Sequence, residues 1–338
     1  MSTERDTVLD ETDREVLEVL NQNSSLGADS VATQLGISRS NAEERISRLE
    51  DDIMERFAVI DPRKVGLTVP GYAFAQCEET YDTAIDQSLQ FVKEHEGVQS
   101  IGTVYGEYDI IIRKLSTDLY KLNNFSTNGI SYSTAQKTCA TTELIRWHGI
   151  DVASDEWETH TDIAENIDDT SEAVLEALQK DPTLRSDQMA LAHHIDSELD
   201  DVSGAIRQLE QQDVILGYSI RLNLDQLGWG RVYLGISTLS DLPPTNDQQQ
   251  SQSNYQQVRS NLQKEYKKDD IRKDNLHIPF VGSGLGESKA DIFAEVVFES
   301  MEHLDKLTDE IREMDGVKTT RTYIEADRKH EDYHVRNP

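Results

Sequence analysis

The chain states one pattern twice, about 160 to 180 residues apart, and that repetition limits the folds open to it more than any other feature. Val16-Leu17-Glu18-Val19-Leu20 returns as Val174-Leu175-Glu176-Ala177-Leu178. Val31-Ala32-Thr33-Gln34-Leu35 returns as Met189-Ala190-Leu191-Ala192, and Ile46, Leu49 and Glu50 return as Ile206, Leu209 and Glu210. Further on, Gly102, Thr103, Gly106, Glu107 and Asp109 are echoed by Gly282, Ser283, Gly286, Glu287 and Asp291. A module repeated in this way implies a dimer fused into one chain. The copies differ most in charge, which implies divided labour.

Within each copy the period of the apolar residues changes. Over 10–51 it is helical: Asp10 is placed to cap a first helix, and Val31 and Leu35 mark a second that stops at Gly36. Ser38 is placed to cap a third, with Ala42, Ile46, Leu49 and Ile53 on one face. Short helices joined by a tight glycine-containing turn make a helix-turn-helix. Strand and helix signals then alternate from 67 to 150 in the order β-α-β-β-α-β, a ferredoxin-like arrangement whose first helix carries Ile85, Leu89 and Val92. The expected fold class is α+β, a tandem repeat of a winged-helix-type helix-turn-helix and a ferredoxin-like βαββαβ domain. The expected units are 8–62, 67–150, an acidic linker at 151–167, a degenerate helix-turn-helix at 168–220, and a second sheet domain at 228–326. Residues 241–257, with Pro243-Pro244 and Gln248 to Gln250, read as a flexible insertion absent from the first copy.

Composition narrows the function. The 338 residues carry 64 acidic against 33 basic side chains, a formal charge of −31 spread along the whole chain. A diffuse acidic surface suits a halophilic cytoplasm, where salt screens self-repulsion, and it opposes broad, non-specific nucleic-acid binding. No run is long and apolar enough for a membrane span and no signal-peptide pattern is present, so a cytoplasmic location is expected. Cys77 and Cys139 form no disulfide framework and no metal spacing; they read as small buried residues. His193-His194 are adjacent and diverge by about 100° on a helix, so no metal site is expected there.

Leu9-Asp10-Glu11-Thr12-Asp13, Arg45-Ile46-Ser47-Arg48-Leu49-Glu50 and Gly106-Glu107-Tyr108-Asp109 resemble stretches of the Lrp/AsnC (feast/famine) regulators. In the second copy, Ile215-Leu216-Gly217-Tyr218 and Gly316-Val317-Lys318-Thr319-Thr320-Arg321-Thr322 carry the same resemblance. It covers nearly the whole chain as two modules, whereas the usual family member is one. It implies a sequence-specific transcription regulator binding double-stranded DNA, with sheet domains that pair and take a small effector such as an amino acid. Two chains then have to associate to present two good recognition helices to a palindrome, so a homodimer or higher assembly is expected. No cofactor is implied.

A recognition helix meets base edges with its N-terminal residues. In the first copy these are Arg39, Ser40 and Asn41, followed by Arg45 and Arg48, and Ser38 with Arg39 is placed to hold a phosphate near the helix start. Arginine reads guanine and asparagine reads adenine, while Glu43, Glu44, Glu50 and Asp51 weaken the local field. The second copy offers Asp196, Glu198, Asp200 and Asp201 instead, with Gly204 weakening the helix, and reads as a structural or protein-contact unit. For the effector, the hairpin residues Thr103, Gly106, Tyr108 and Asp109 and their echoes Ser283, Gly286, Glu287 and Asp291 are the candidates. Glycine admits close approach to the backbone and aspartate pairs with an ammonium group. A plain turn explains the same residues. Two other functions compete. Some proteins similar to this family are tetrapyrrole (sirohaem) decarboxylases, and a ligand sensor acting by protein contacts also fits the acidic second unit.

Overall fold

The computed structural model describes residues 9–77, 90, 95, 97–129, 133–151, 167–239, 248–265, 276–286, 290–332 and 334–335. The first copy contains α1 (Glu11–Gln22), α2 (Ala28–Leu35), α3 (Arg39–Asp52), β1 (Met54–Ile60), β2 (Val69–Cys77), β3 (Val98–Tyr105), β4 (Ile110–Ser116), α4 (Leu119–Gly129), β5 (Ser133–Trp147) and β6 (Ile150–Asp151). The second contains α5 (Asp169–Lys180), α6 (Gln188–His194), α7 (Leu199–Gln211), β7 (Ile215–Leu222), α8 (Leu224–Leu227), β8 (Gly230–Thr238), α9 (Gln248–Glu265), β9 (Leu276–Gly286), β10 (Ile292–Phe298), α10 (Met301–Glu313) and β11 (Val317–Glu331). The expected helix around Ile85, Leu89 and Val92, and the acidic linker from 152 onward, lie outside the described residues. No helix of the described residues is long and apolar enough to cross a membrane.

The two sheet domains close on each other. The strand order is β2-β4-β3-β11-β8-β10-β9-β5, and β5 returns to pair with β2. Each half contributes the same internal order, β5-β2-β4-β3 and β11-β8-β10-β9, and every junction is antiparallel. The joining pairs, β3 with β11 and β5 with β9, use the edge strands that an isolated ferredoxin-like sheet would leave open. Closure removes those edges and the aggregation hazard they carry.

Alternation along the strands sorts side chains into a shared interior and two outer faces. Tyr72 and Phe74 of the first half meet Phe293, Phe280, Tyr233 and Tyr323 of the second, with ring centroids 4.7–5.7 Å apart. Such pairs contribute about 0.5–1.5 kcal/mol each beyond area burial. The outer faces are separate: Ala73, Ala75, Ile110 and Ile112 face Phe125 of α4, while Val232, Leu234, Ile292 and Val296 pack with Leu304, Leu307 and Ile311 of α10.

One expectation is overturned here. The supposed insertion at 241–257 is, from Gln248 on, the helix α9, and it stands as the first helix of the second βαββαβ unit. Val258 and Leu262 are buried in the second outer core, with Tyr255 packed against it. Asn254 Nδ2 donates to the Leu239 carbonyl at 2.9 Å, holding the helix to the end of β8.

The helical units exchange strands. β1 and β7 form an antiparallel ribbon in which Phe57 faces Ser219 and Ala58 faces Tyr218. Ile220 of β7 completes the core of the first helix-turn-helix, beside Val16, Leu20, Ile46 and Leu49. Phe57, Val59 and Ile60 of β1 share a core with Val174, Leu178, Ile206 and Leu209 of the second. Each unit is therefore completed by the other copy's strand. Cys77 and Cys139 lie on neighbouring strands but out of register, Cys139 facing Tyr72 and Cys77 facing Ser133.

Candidate nucleic-acid interface and ligand cavities

The first helix-turn-helix is fixed by its caps. Asp10 accepts from the Asp13 backbone N–H at 2.8 Å and Asp13 returns the bond to Asp10, a reciprocal capping box on α1. Gly36 ends α2 in the left-handed region at φ 68°, and Ser38 caps α3 by accepting from the Asn41 N–H at 3.2 Å. Arg56 donates to the carbonyls of Ser24 and Leu26 and pairs with Glu50 at the end of α3. The acidic Glu50 is thus neutralised inside the unit.

Ser38, Arg39, Ser40 and Asn41 are all exposed at the leading end of α3. Arg39 has 65% of its side chain exposed and rests on Glu43 at 2.8 Å and Asp29 at 3.3 Å. Surface pairs of this kind are weak, so a phosphate or a base competes for the guanidinium at small cost. Arg45 and Arg48 depart from expectation. Arg45 turns back onto α1, donating to both Asp10 oxygens at 2.8 Å and to Asp13 at 2.6 Å, and to Asn41 through Nε. Arg48 also reaches Asp13, which is 1% exposed. The buried Asp13 needs positive partners, and α3 supplies them. Arg45 is thus held within the fold by Asp10 and Asp13, while Arg48 keeps half its side chain in solvent.

The second unit repeats the frame without the chemistry. Asp196, at φ 54°, takes the place of Gly36, and Glu198 takes that of Ser38 but makes no side-chain cap bond. Leu199, Asp200 and Asp201 then occupy the exposed leading turn of α7. At the far end Glu210 accepts from Arg185 at 2.8 Å and from the Tyr218 hydroxyl at 2.9 Å, as Glu50 accepts from Arg56. Burial first, then Glu210, holds the Tyr218 hydroxyl far above its ordinary pKa, so it stays protonated and donates.

Several polar groups of the expected effector hairpins bond within the fold. Thr103 is fully buried and its hydroxyl donates to the Asp327 carbonyl at 3.4 Å. Gly106, at φ 137°, makes the turn. The Tyr108 ring is buried against Phe74 and Tyr323, and its hydroxyl donates to Glu107. Asp109 is half-buried and its backbone bonds to Ala75 and Val104. The Asp291 carboxylate accepts from both the N–H and the hydroxyl of Thr238. Ser283 and Gly286 lie on β9 opposite Ile292 and Cys139, and Glu287 falls outside the described residues.

Two cavities lie elsewhere, at the seam between the helical units and the barrel. One, of about 420 Å³, is lined by Glu50, Asp51, Asp52 and Glu55 of the first unit, by Asp225 and Trp229, and by Arg221, Arg231 and Arg328. The other, of about 370 Å³, is lined by Phe57, Gln179, His330 and His334, and shares Glu55, Arg221 and Glu331 with the first. Sequence spacing gave no sign of either, because their walls come from segments far apart in the chain.

Behind the first cavity runs a buried charge network. Arg113 and Arg231 both meet Glu295 at 3.1 Å, and Arg231 reaches Glu331 at 2.8 Å. Arg328 pairs with Glu325 and donates to the Tyr233 hydroxyl, which donates to Glu325 at 2.9 Å. Burial works to raise the Glu325 pKa, but Arg328 and Arg231 outweigh it and hold the carboxylate below its ordinary range.

Residues 9–52 match a family described as winged helix-turn-helix DNA-binding, and residues 287–333 match one described as Lrp/AsnC ligand binding domain. Among curated proteins, the DNA-binding transcriptional activator DecR of Escherichia coli K12 is 26% identical over 120 residues, 35% of this chain and 79% of that protein. Transcriptional regulator AzlB of Bacillus subtilis is 26% identical over 120 residues, 35% of this chain and 76% of that one. Among solved structures, the sirohaem decarboxylase NirDL shares the fold over 94% of this chain and 91% of its own, with a TM-score of 0.52 and 8% identity.

Proposed function

We propose that this chain, a tandem Lrp/AsnC-type protein, is a sequence-specific DNA-binding transcription regulator that reads its operator through the first helix-turn-helix alone. The observation that carries this reading is the exposed leading turn of α3, Ser38 to Asn41, set against the acidic turn of α7. Arg39 and Asn41 supply base-edge contacts, and Ser38, Ser40 and Arg48 the phosphate contacts that fix register. One barrel then presents one reading helix, and two chains meet on a palindromic site. Binding of duplex operator by the full chain at molar potassium chloride tests it. Arg39→Ala with Asn41→Ala is expected to lower affinity about tenfold or more, each good bidentate base contact discriminating by about 1–3 kcal/mol. Unchanged affinity would refute the assignment.

A small molecule modulates the regulator in this reading. The cavity of about 420 Å³ supports that role, since it touches the end of α3 and the barrel together, and a ligand there biases one against the other. Its size suits an amino acid or a similar small ligand. Amino acids titrated into the chain with Trp229 fluorescence as readout test this part; silence across the set, with DNA binding intact, would remove the effector and leave the regulator.

The decarboxylase reading has the whole-chain likeness of fold to NirDL in its favour. A tetrapyrrole carries many carboxylates, and the barrel arginines Arg113, Arg231 and Arg328 are already matched by Glu295, Glu325 and Glu331. Regulation is therefore the preferred reading. Incubation with sirohaem is expected to leave the haem spectrum unchanged.

A further inference from the structure

The second helix-turn-helix keeps two exposed apolar side chains at the tip where the first presents polar ones. Met189, in the first turn of α6, is 70% exposed, and Leu199, in the place of Arg39, is 40% exposed. Ser203 Oγ donates to Gln188 Oε1 at 2.6 Å, so the Leu199–Ser203 face of α7 lies against the start of α6. Met189 and Leu199 stand in the places of Asp29 and Arg39, which pair at 3.3 Å across α2 and α3 in the first unit, so the two lie on one seam. Around it stand Asp187, Asp196, Glu198, Asp200 and Asp201; none of them makes an ion pair among the described residues, and all but Asp187, which caps α6, lie on the α6–α7 turn or the leading turn of α7.

This composition excludes DNA by like charge. It also departs from a plain solvated surface, because two large apolar side chains are exposed among five exposed acids on the same helix pair. We propose that the tip of the second helix-turn-helix is a docking surface for a basic amphipathic segment of another protein. The partner's apolar residues seat on Met189 and Leu199, and its lysines and arginines lie along the acidic rim. Charge complementarity selects the partner, and the apolar seat keeps the contact in concentrated salt, where purely ionic contacts are screened. The duplication then yields one reading head for DNA and one coupling head for protein, joined by a single barrel.

The test uses the full chain at molar potassium chloride and a fluorescein-labelled helical peptide with one leucine face and one lysine face, read by anisotropy. Met189→Ser with Leu199→Ser is expected to weaken binding about tenfold or more, the usual effect of losing central apolar anchors. Asp200→Asn with Asp201→Asn weakens it severalfold, and Glu43→Gln with Glu44→Gln on the first unit leaves it unchanged. All six positions lie at the surface, and an unchanged melting temperature checks the fold. Equal weakening by the control pair, or no effect of the serine pair, would overturn the proposal. So would protection of position 189 by duplex DNA, or a self-association that the serine pair abolishes. The proposal does not depend on the α3 assignment, which the Arg39 variant tests separately.

Discussion

Glu295 is the residue on which both halves converge. It is 1% exposed, accepts from Arg113 and the Tyr72 hydroxyl of the first sheet, and pairs with Arg231 of the second. Glu295→Ala leaves two buried guanidinium groups facing each other with one counter-charge fewer. We expect a loss of about 3–5 kcal/mol in denaturant unfolding. Asp10 illustrates the same logic at the surface. Arg45 first, then the Asp13 N–H, hold its carboxylate below the ordinary value of 3.8. A depressed folded-state pKa gives stability that is present above the ordinary value and lost as pH falls through the folded one. Asp10→Asn should therefore lower the melting temperature at neutral pH, and the gap from wild type should close in acid. The caps Asp10, Gly36 and Ser38 were legible in the sequence because capping is local. The turning of Arg45 toward Asp13 was not, because it depends on how α3 crosses α1.

Elements follow the same division. β10 spans Ile292–Phe298, an apolar run of the kind that defines a strand by itself. α9 was missed because its polar face is written in glutamine, serine and asparagine, and the apolar set Tyr255, Val258 and Leu262 is sparse. Those residues make the segment a core helix. Leu262→Ala should cost about 2–5 kcal/mol by calorimetry, the range for a truncated core leucine, where a loop residue would cost little. The hairpin glycines and acids were recognisable as a repeated motif, and among the described residues Thr103 and Asp291 direct their side-chain oxygens to neighbouring strands. The seam cavities drew on residues no local pattern connects.

At the scale of the molecule, the repeat closes on itself. The barrel joins β3 to β11 and β5 to β9 within one chain, so the pairing of sheet domains uses no second polypeptide. Association of two chains then has to use other surfaces, and sedimentation at molar potassium chloride should give a homodimer or larger species whose barrels each contain one chain. The helical units cross-brace through β1 and β7, so neither is expected to unfold alone. With that frame common to both, the two units differ in the charge and polarity of their exposed tips. The most direct measurement is genome-wide chromatin occupancy in cells at native salt, comparing wild type with Arg39→Ala plus Asn41→Ala and with Asp200→Asn plus Asp201→Asn. The first pair is expected to abolish site-specific occupancy and the second to leave the same sites occupied. Unchanged occupancy in the first pair, or loss in the second alone, would contradict a single reading head.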